Sequence, residues 1–260
     1  MSIHPTAILS DKTEVADGVK IGPYVVTRGR VKIGKGTVID NHVTIGTDSG
    51  IVEIGENNHF LAGAVVGSPP QDLTYRGEAT KLILGDRNTV REYCTLNLGT
   101  AKGGGVTRIG DDCLLMAYVH VAHDCHIKNK VVIANSAQFA GHVTVEDHVK
   151  IGGGCLFSQF ITLGEYCYIA GDTAVNKDII PYCIAYGNFA TIRATNKIGL
   201  ERAGFSKDEV ENIHRAIRLV IKGGHTLGEA LVKIEETCTP SDHIKRILDF
   251  IHKSERGIAR

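Results

Sequence analysis

Every sixth residue from Ile109 to Val175 is apolar: Ile109, Leu115, Val121, Ile127, Ile133, Phe139, Val145, Ile151, Phe157, Leu163, Ile169 and Val175. In a chain that is 43% hydrophobic, such a run has a chance probability on the order of 10⁻⁵, so the period is a repeat. The same frame occurs upstream at Ile3, Leu9, Val15 and Ile21, at Ile33, Ile39 and Ile45, at Ile54, Phe60 and Val66, and at Leu84, Val90 and Leu96. A second column four residues after the first carries Cys113, Val119, Cys125, Val131, Ala137, Val143, Val149, Cys155, Ile161 and Cys167. Inward and outward positions therefore alternate over short segments, as in a strand, with a corner after each. Small residues directly after the large one, as at Gly110, Ala122, Ala134, Ala140, Gly152, Gly164 and Ala170, suit a tight corner. Three such edges close one triangular coil of 18 residues, which predicts a parallel β-helix.

The frame stops near residue 190 and helix signals replace it, dividing the chain into a β-helix over 1–190 and a helical domain over 191–260. Ser206 and Glu209 form a capping box ahead of Ile213, Ile217, Val220 and Ile221, predicting a helix of roughly four turns that Gly223-Gly224 ends. Thr226 and Glu229 repeat the box. Pro240-Ser241 opens a third amphipathic stretch with Ile244, Ile247, Leu248 and Ile251, expected to close at Gly257. Such a bundle would cap the open last coil, whose unpaired backbone edge otherwise invites aggregation.

Composition narrows the class. No apolar run approaches the ~20 residues of a membrane span, and Met1-Ser2-Ile3-His4-Pro5 lacks the basic and apolar regions of a signal peptide, so a cytoplasmic protein without membrane insertion is expected. Formal net charge is zero, which gives no electrostatic reason to expect nucleic acid. The seven cysteines include no Cys-x-x-Cys pair, and five occupy the inward column. That placement suits reduced thiols used as compact core residues, not disulfides or zinc ligands.

Three interruptions of the frame, near 47–53, 68–81 and 99–107, are where binding residues are expected, since loops on a rigid scaffold carry function. The Gly103-Gly104-Gly105 run lacks the strand-to-helix context of a phosphate loop. The densest titratable cluster is His120-Val121-Ala122-His123-Asp124-Cys125-His126, and His is suited to proton transfer near neutral pH. A period of 18 stacks Gly141 and Gln159 above His123, and His142 above Asp124, at roughly the 4.8 Å spacing of neighbouring strands. A base, a carboxylate to orient it and a glycine N–H to face an oxyanion would share one patch. The plainer reading is a set of solvated corner residues.

At these residues the chain resembles the acyltransferase family that opens lipid A biosynthesis. The resemblance rests on Gln71-Asp72-Leu73 with Tyr75 and Gly77-Glu78, Gly85-Asp86-Arg87-Asn88, Ala122-His123-Asp124-Cys125, Ala140-Gly141-His142-Val143, Gly187-Asn188, and Gly199-Leu200 with Arg202 and Gly204-Phe205-Ser206. It implies a left-handed coil, a homotrimer with sites between neighbouring β-helices, and no metal or cofactor. It further implies transfer of a 3-hydroxyacyl chain from acyl carrier protein to the glucosamine 3-position of UDP-N-acetylglucosamine. His123 would be the general base, Asp124 its orienting partner and Gly141 the oxyanion donor. Gln71, Asp72, Asn196 and Arg202 match positions that hold the sugar nucleotide or the donor's phosphopantetheine arm, and His120, His142 and Gln159 belong to the same cleft. Gly171 matches a position where a bulky side chain shortens the acyl groove, which implies a medium-long chain, and Phe189 stands where others often have His. Basic residues Arg193, Lys197, Arg202, Arg215 and Arg218 would meet the acidic carrier protein.

The chain departs from the family pattern together at several places. Thr74 stands where Lys is usual, Ser158 where His precedes Gln159, Asn97-Leu98 where a His-Arg pair precedes Gly99-Thr100, and Ile198 and Ala203 where Glu and Arg are found. The lost cations raise a second acceptor, a 3-amino sugar giving an amide. The competing classes are a non-catalytic β-helix scaffold and another acyltransferase of hexapeptide repeats, against which stand the polar loop at 68–81 and the stacked His123 site.

Overall fold

The structure, a computed structural model, describes all of residues 1–260. Each hexad folds alike. A two-residue strand such as His120–Val121, Gln138–Phe139 or Leu156–Phe157 points its second side chain inward; a corner follows, and the small residue of the second column turns back into the core. Both columns are buried from Ile109 to Val175, with Phe139 stacked on Phe157 at 4.4 Å between ring centroids. Ile3 is 39% exposed because nothing lies beneath the first coil.

Strand partners are 18 residues apart: Leu114 pairs with Val132, His120 with Gln138, and His126 with Thr144, all in parallel. The three faces wind into a left-handed β-helix of triangular section. The residue three places after the large apolar one holds the left-handed backbone region at Asp112, Tyr118, Asp124, Lys130, Ser136, His142 and His148, with φ of 56–63°. That conformation costs an L-residue roughly 1–2 kcal/mol, and burial of the two core columns over-determines it. The small residue directly after the large one has a different reason from the conformational one expected. A β-carbon on Gly152 would stand 2.5 Å from the Gly171 nitrogen, so the backbone of the next coil, not a positive φ, keeps that position small.

One corner is laddered by Asx side chains. Asp86 N–H donates to Asp111 Oδ1, Asp111 N–H to Asn129 Oδ1 and Asn129 N–H to Asp147 Oδ1, at 2.8–2.9 Å. Corner amides that no strand can satisfy are thus bonded to the coil above.

The interruption expected at 47–53 is not a loop. Thr44–Ile54 continues as one strand, because Val26–Ile33 in the coil below carries extra residues of its own and pairs with it, shifting register between Arg28 and Arg30. The other two interruptions do leave the coil: one between Val65–Ser68 and Lys81–Leu84, the other between Thr95–Asn97 and Val106–Ile109, with a 3₁₀ turn at Ala101–Gly103.

Cys183–Gly187 joins the face ending in Tyr168–Ile169, and Ala190–Thr195 folds back antiparallel on it, covering that edge. Helices α1 (Lys197–Arg202), α2 (Lys207–Lys222), α3 (Leu227–Thr237) and α4 (Asp242–Lys253) follow. Both capping boxes form as expected. Helix α1 was not anticipated, since six residues hold too little of a 3.6-residue period to show a face. Helix α4 ends at Lys253 and not at Gly257, because Ser254 leaves it to donate its hydroxyl to Asp178 Oδ2 at 2.6 Å. The tail then brackets Asp178, whose N–H donates to Gly257 and whose carbonyl accepts from Ala259, both at 2.9 Å. The helices are pinned to the coil through buried Glu165, which accepts from the Tyr182 hydroxyl and from Arg246 Nη1. No helix is long and apolar enough to cross a membrane. All seven cysteines are free and buried.

Candidate active site

His123, Gly141 and Gln159 stack at one corner of successive coils, followed by Asp124, His142 and Phe160 in the left-handed region. The backbone holds the stack: His142 N–H donates to the His123 carbonyl at 3.0 Å. The positive φ of Asp124 turns its carboxylate back toward the preceding ring, and His123 Nδ1 lies 2.8 Å from Asp124 Oδ2. A carboxylate only accepts, so Nδ1 carries the proton and Nε2 is left as the basic nitrogen.

Asp124 is 4% exposed and fully engaged. Thr100 donates to it twice, from N–H at 2.9 Å and from Oγ1 at 2.7 Å, and Asp124's own N–H donates to Thr107 Oγ1 at 2.8 Å. His142 Nε2 is 3.6 Å from Oδ2, and its ring stacks on Phe160 at 4.4 Å. Burial holds the His142 imidazole below the ordinary range, keeping it neutral.

The glycine is buried, not exposed as expected from the sequence, yet its N–H makes no hydrogen bond within the chain. The laddered corner bonds its equivalent amides to Asx side chains. At the His123 corner no Asx follows, and the Gly141 amide is free to donate.

These residues open on a cleft of about 520 Å³, lined by Gln71, His120, His123, Gly141, Ser158, Gln159 and Phe189, with Gln138, Leu156 and Ala174 along its wall. His120 Nδ1 is 2.7 Å from Thr95 Oγ1, and burial lowers its pKa, so it too is neutral. A depression of about 580 Å³ between α4 and the coil, lined by Thr144, Glu146, Lys245, Arg246 and Lys253 among others, contains no histidine.

Asp72 sits at the cleft's rim. Its carboxylate accepts from Thr74 N–H and Oγ1 and from Lys102 Nζ, the last at 2.7 Å; Lys102 Nζ is also 2.8 Å from Thr74 Oγ1. The Lys102 ammonium and the Thr74 bonds hold the Asp72 carboxyl well below the usual range. A cation therefore does stand at Thr74, contributed by the next loop. The other departures resolve similarly: Leu98 is buried in the core, and Asn97 Nδ2 donates to Ser68 Oγ at 2.7 Å, anchoring the 68–81 loop. Sequence reasoning missed Lys102, Thr100 and Thr107 because their spacing to Asp72 and Asp124 belongs to no period.

Three expected binding residues lie elsewhere in the chain. Gly171 is at the next corner, above Gly153. Asn196 caps α1 at the laddered corner, donating its Nδ2 to the Tyr166 carbonyl at 2.9 Å, and exposed Arg202 makes no side-chain bond. Of the other basic residues, Lys197 pairs with Glu211 at 3.0 Å, Arg193 lies over the Tyr186 ring, Arg215 donates to the Thr237 carbonyl, and Arg218 flanks a small depression with His214 and Lys222.

His123, Asp124 and His142 each offer one metal-ligand atom within 4.8 Å of the others. Their donors are already committed: Nδ1 of His123 holds a proton on Asp124, and Thr100 occupies both carboxylate oxygens. The set fits a hydrogen-bonded base better than a cation site.

Known proteins share this whole arrangement. The model of the second domain of UDP N-acetylglucosamine O-acyltransferase matches residues 178–259, and that of the bacterial transferase hexapeptide matches 12–47 and 107–141. Acyl-[acyl-carrier-protein]--UDP-N-acetylglucosamine O-acyltransferase of Campylobacter concisus is 38% identical across 99% of this chain and 97% of its own. The crystal structure of the UDP-N-acetylglucosamine acyltransferase of Bacteroides fragilis superimposes with a TM-score of 0.96 at 39% identity, covering 99% of this chain and 100% of that one. The UDP-N-acetylglucosamine O-acyltransferase of Moraxella catarrhalis gives 0.96 at 40% identity over the full length of both chains.

Proposed function

The chain belongs to the UDP-N-acetylglucosamine O-acyltransferase family, and on that premise we propose that it acylates the glucosamine 3-hydroxyl of UDP-N-acetylglucosamine from a 3-hydroxyacyl carrier protein, with His123 as general base. It is an acyltransferase of the first step of lipid A biosynthesis. The observation that carries the assignment of roles is the 2.8 Å bond of His123 Nδ1 to buried Asp124 beside the uncommitted Gly141 amide.

His123 Nε2 takes the proton of the acceptor hydroxyl as its oxygen bonds to the thioester carbon. The carbonyl electron pair moves onto oxygen, where the Gly141 N–H donates to it. Collapse re-forms the carbonyl and breaks the carbon–sulfur bond; the leaving sulfur takes the proton back from the imidazolium, giving ester and free thiol. Such base catalysis contributes about 10²–10⁴-fold, and an oxyanion donor about 10²–10³-fold. Asp124 stabilises the imidazolium while remaining ionised.

The active form is a cytoplasmic homotrimer. Gln71 and His123 lie at one corner of the prism, whereas Gly171, and Asn196 with Arg202, lie at the other two. One chain cannot bring them to one substrate, but threefold packing sets each corner against a neighbour's. Exposed apolar residues, including Tyr93 stacked on Tyr118 at 5.4 Å, Leu156, Phe160 and fully solvated Leu73, supply the surface for that packing.

Lys102 beside Thr74 favours the hydroxyl acceptor, since the missing cation that pointed to an amine is replaced. The test is mass spectrometry of the product when hydroxyacyl carrier protein meets UDP-N-acetylglucosamine and its 3-amino analogue together, with His123→Ala in parallel. Ester that disappears in the variant is expected. Amide alone would overturn the acceptor, and undiminished turnover in the variant would overturn the base.

A further inference from the structure

The turn at residues 100–103 stands directly over the catalytic carboxylate. A β-carbon on Gly103 would be 2.2 Å from Asp124 Oδ2, so no water fits between them. Thr100 is 3% exposed, and its hydroxyl is committed in both directions: it accepts from Gly103 N–H at 3.1 Å and donates to Asp124 Oδ2 at 2.7 Å. At its other end the turn is tied by Lys102 to Asp72 and Thr74. One short segment therefore joins the loop carrying Asp72 to the partner of the base.

We propose that Thr100 is a positioning residue for acyl transfer, acting through Asp124 on His123; the proposal rests on the reading of His123 as general base. A buried carboxylate with a single donor rotates and shares its charge with that donor alone. Here the two Thr100 donors fix the carboxylate plane, leaving Oδ2 to meet Nδ1 in one direction and holding the ring beside Gly141. They also spread the negative charge that would otherwise be concentrated on the imidazolium. Without the hydroxyl, Asp124 draws on His123 more strongly and the imidazolium persists to higher pH. His142, His120, Lys102 and Asp72 also face this pair, and they are unchanged by substitution at Thr100, so the difference between variant and parent reports the hydroxyl.

The experiment compares Thr100→Val, which keeps the branched shape and the N–H, with Thr100→Ser, which keeps the donor, in the full-length enzyme. Thr100→Val should lose about 10-fold to 100-fold in kcat, the usual cost of removing a group that orients another, with KM for the UDP-sugar little changed. The acidic limb of its kcat/KM profile should move to higher pH, and Thr100→Ser should restore both. In a His123→Ala background Thr100→Val should cost nothing further. Parental kcat and an unmoved limb in Thr100→Val overturn the proposal, as does a loss confined to KM. Thr100→Ala, read by the same profile at a temperature below its melting transition, serves if the valine variant is unstable. Failure here is separable from failure of the base: an inactive His123→Ala with a fully active Thr100→Val removes only Thr100, whereas an active His123→Ala removes the premise.

Discussion

Gly141 runs beneath the imidazole of His123 so closely that a β-carbon built on it would stand 2.5 Å from Cε1 and 2.9 Å from Nε2. The glycine is needed for the space it leaves, since its φ is unremarkable for an L-residue. Gly141→Ala should displace the ring while leaving the amide donor in place. Because misplacing a reacting group by about 1 Å costs on the order of 10² in rate, we expect a loss of that order in kcat, with overpacking costing about 1–3 kcal/mol of stability. Steady-state kinetics beside a denaturant titration check this; full activity would show that the ring has room to move.

Tyr182→Phe tests how the helices are held. The hydroxyl donates to buried Glu165 and lies 3.1 Å from His243 Nδ1. Removing it leaves a carboxylate oxygen short of a donor, at a cost of about 1–3 kcal/mol. Arg246→Ala should cost less, because that side chain is half exposed and water replaces its bond. Urea denaturation of the two variants gives the ranking, and the reverse order would place the anchor in the ion pair.

The thiols should be silent in the folded protein. Burial pushes Cys94 and Cys113 up to about 11 and Cys125 up to about 12, and the thiolate is the reacting form. Iodoacetamide at about pH 8, near the ordinary thiol pKa, should label none of them until denaturant is added. Rapid labelling of the native protein, read by intact mass, would contradict the packing of the inward column.

Stability should fall on mild acidification. Burial lowers the pKa of His120, His142, His148 and His214 in the fold. The unfolded chain therefore binds protons first, near its ordinary value of about 6.5. The contribution is fully present above that pH and is lost as pH falls through it. The Tm should decrease between about pH 7.5 and pH 5.5, before carboxylates titrate; a flat or rising Tm over that window would refute it.

Periodicity explains which parts of this molecule can be read in advance. The core columns, the coil length of 18 and the stacking of Gly141 on His123 all follow from one frame, and the capping boxes lie within four residues of sequence. Thr44–Ile54 defeats that reading because the insertion in one coil is matched by an insertion in the coil below. Such a match is visible only when the two are aligned in space. Thr100 and Lys102 are hidden for another reason: they reach Asp124 and Asp72 across 24 and 30 residues, through a loop whose path no pattern fixes.

The left-handed corner residues separate two demands that most folds impose on the same side chain. Stability asks only for an apolar residue and a small one in each hexad, both facing inward. The corner residue asks for tolerance of a positive φ, and Tyr24, Arg87, Asp124, Ser136, His142 and Phe160 all meet that condition. Chemistry at the corner can thus be exchanged without disturbing the core, and a coil that supports Tyr118 at one level supports Asp124 a few residues on. The scaffold leaves its edges free to change, and an enzyme built on it can acquire a new acceptor specificity by altering corners alone.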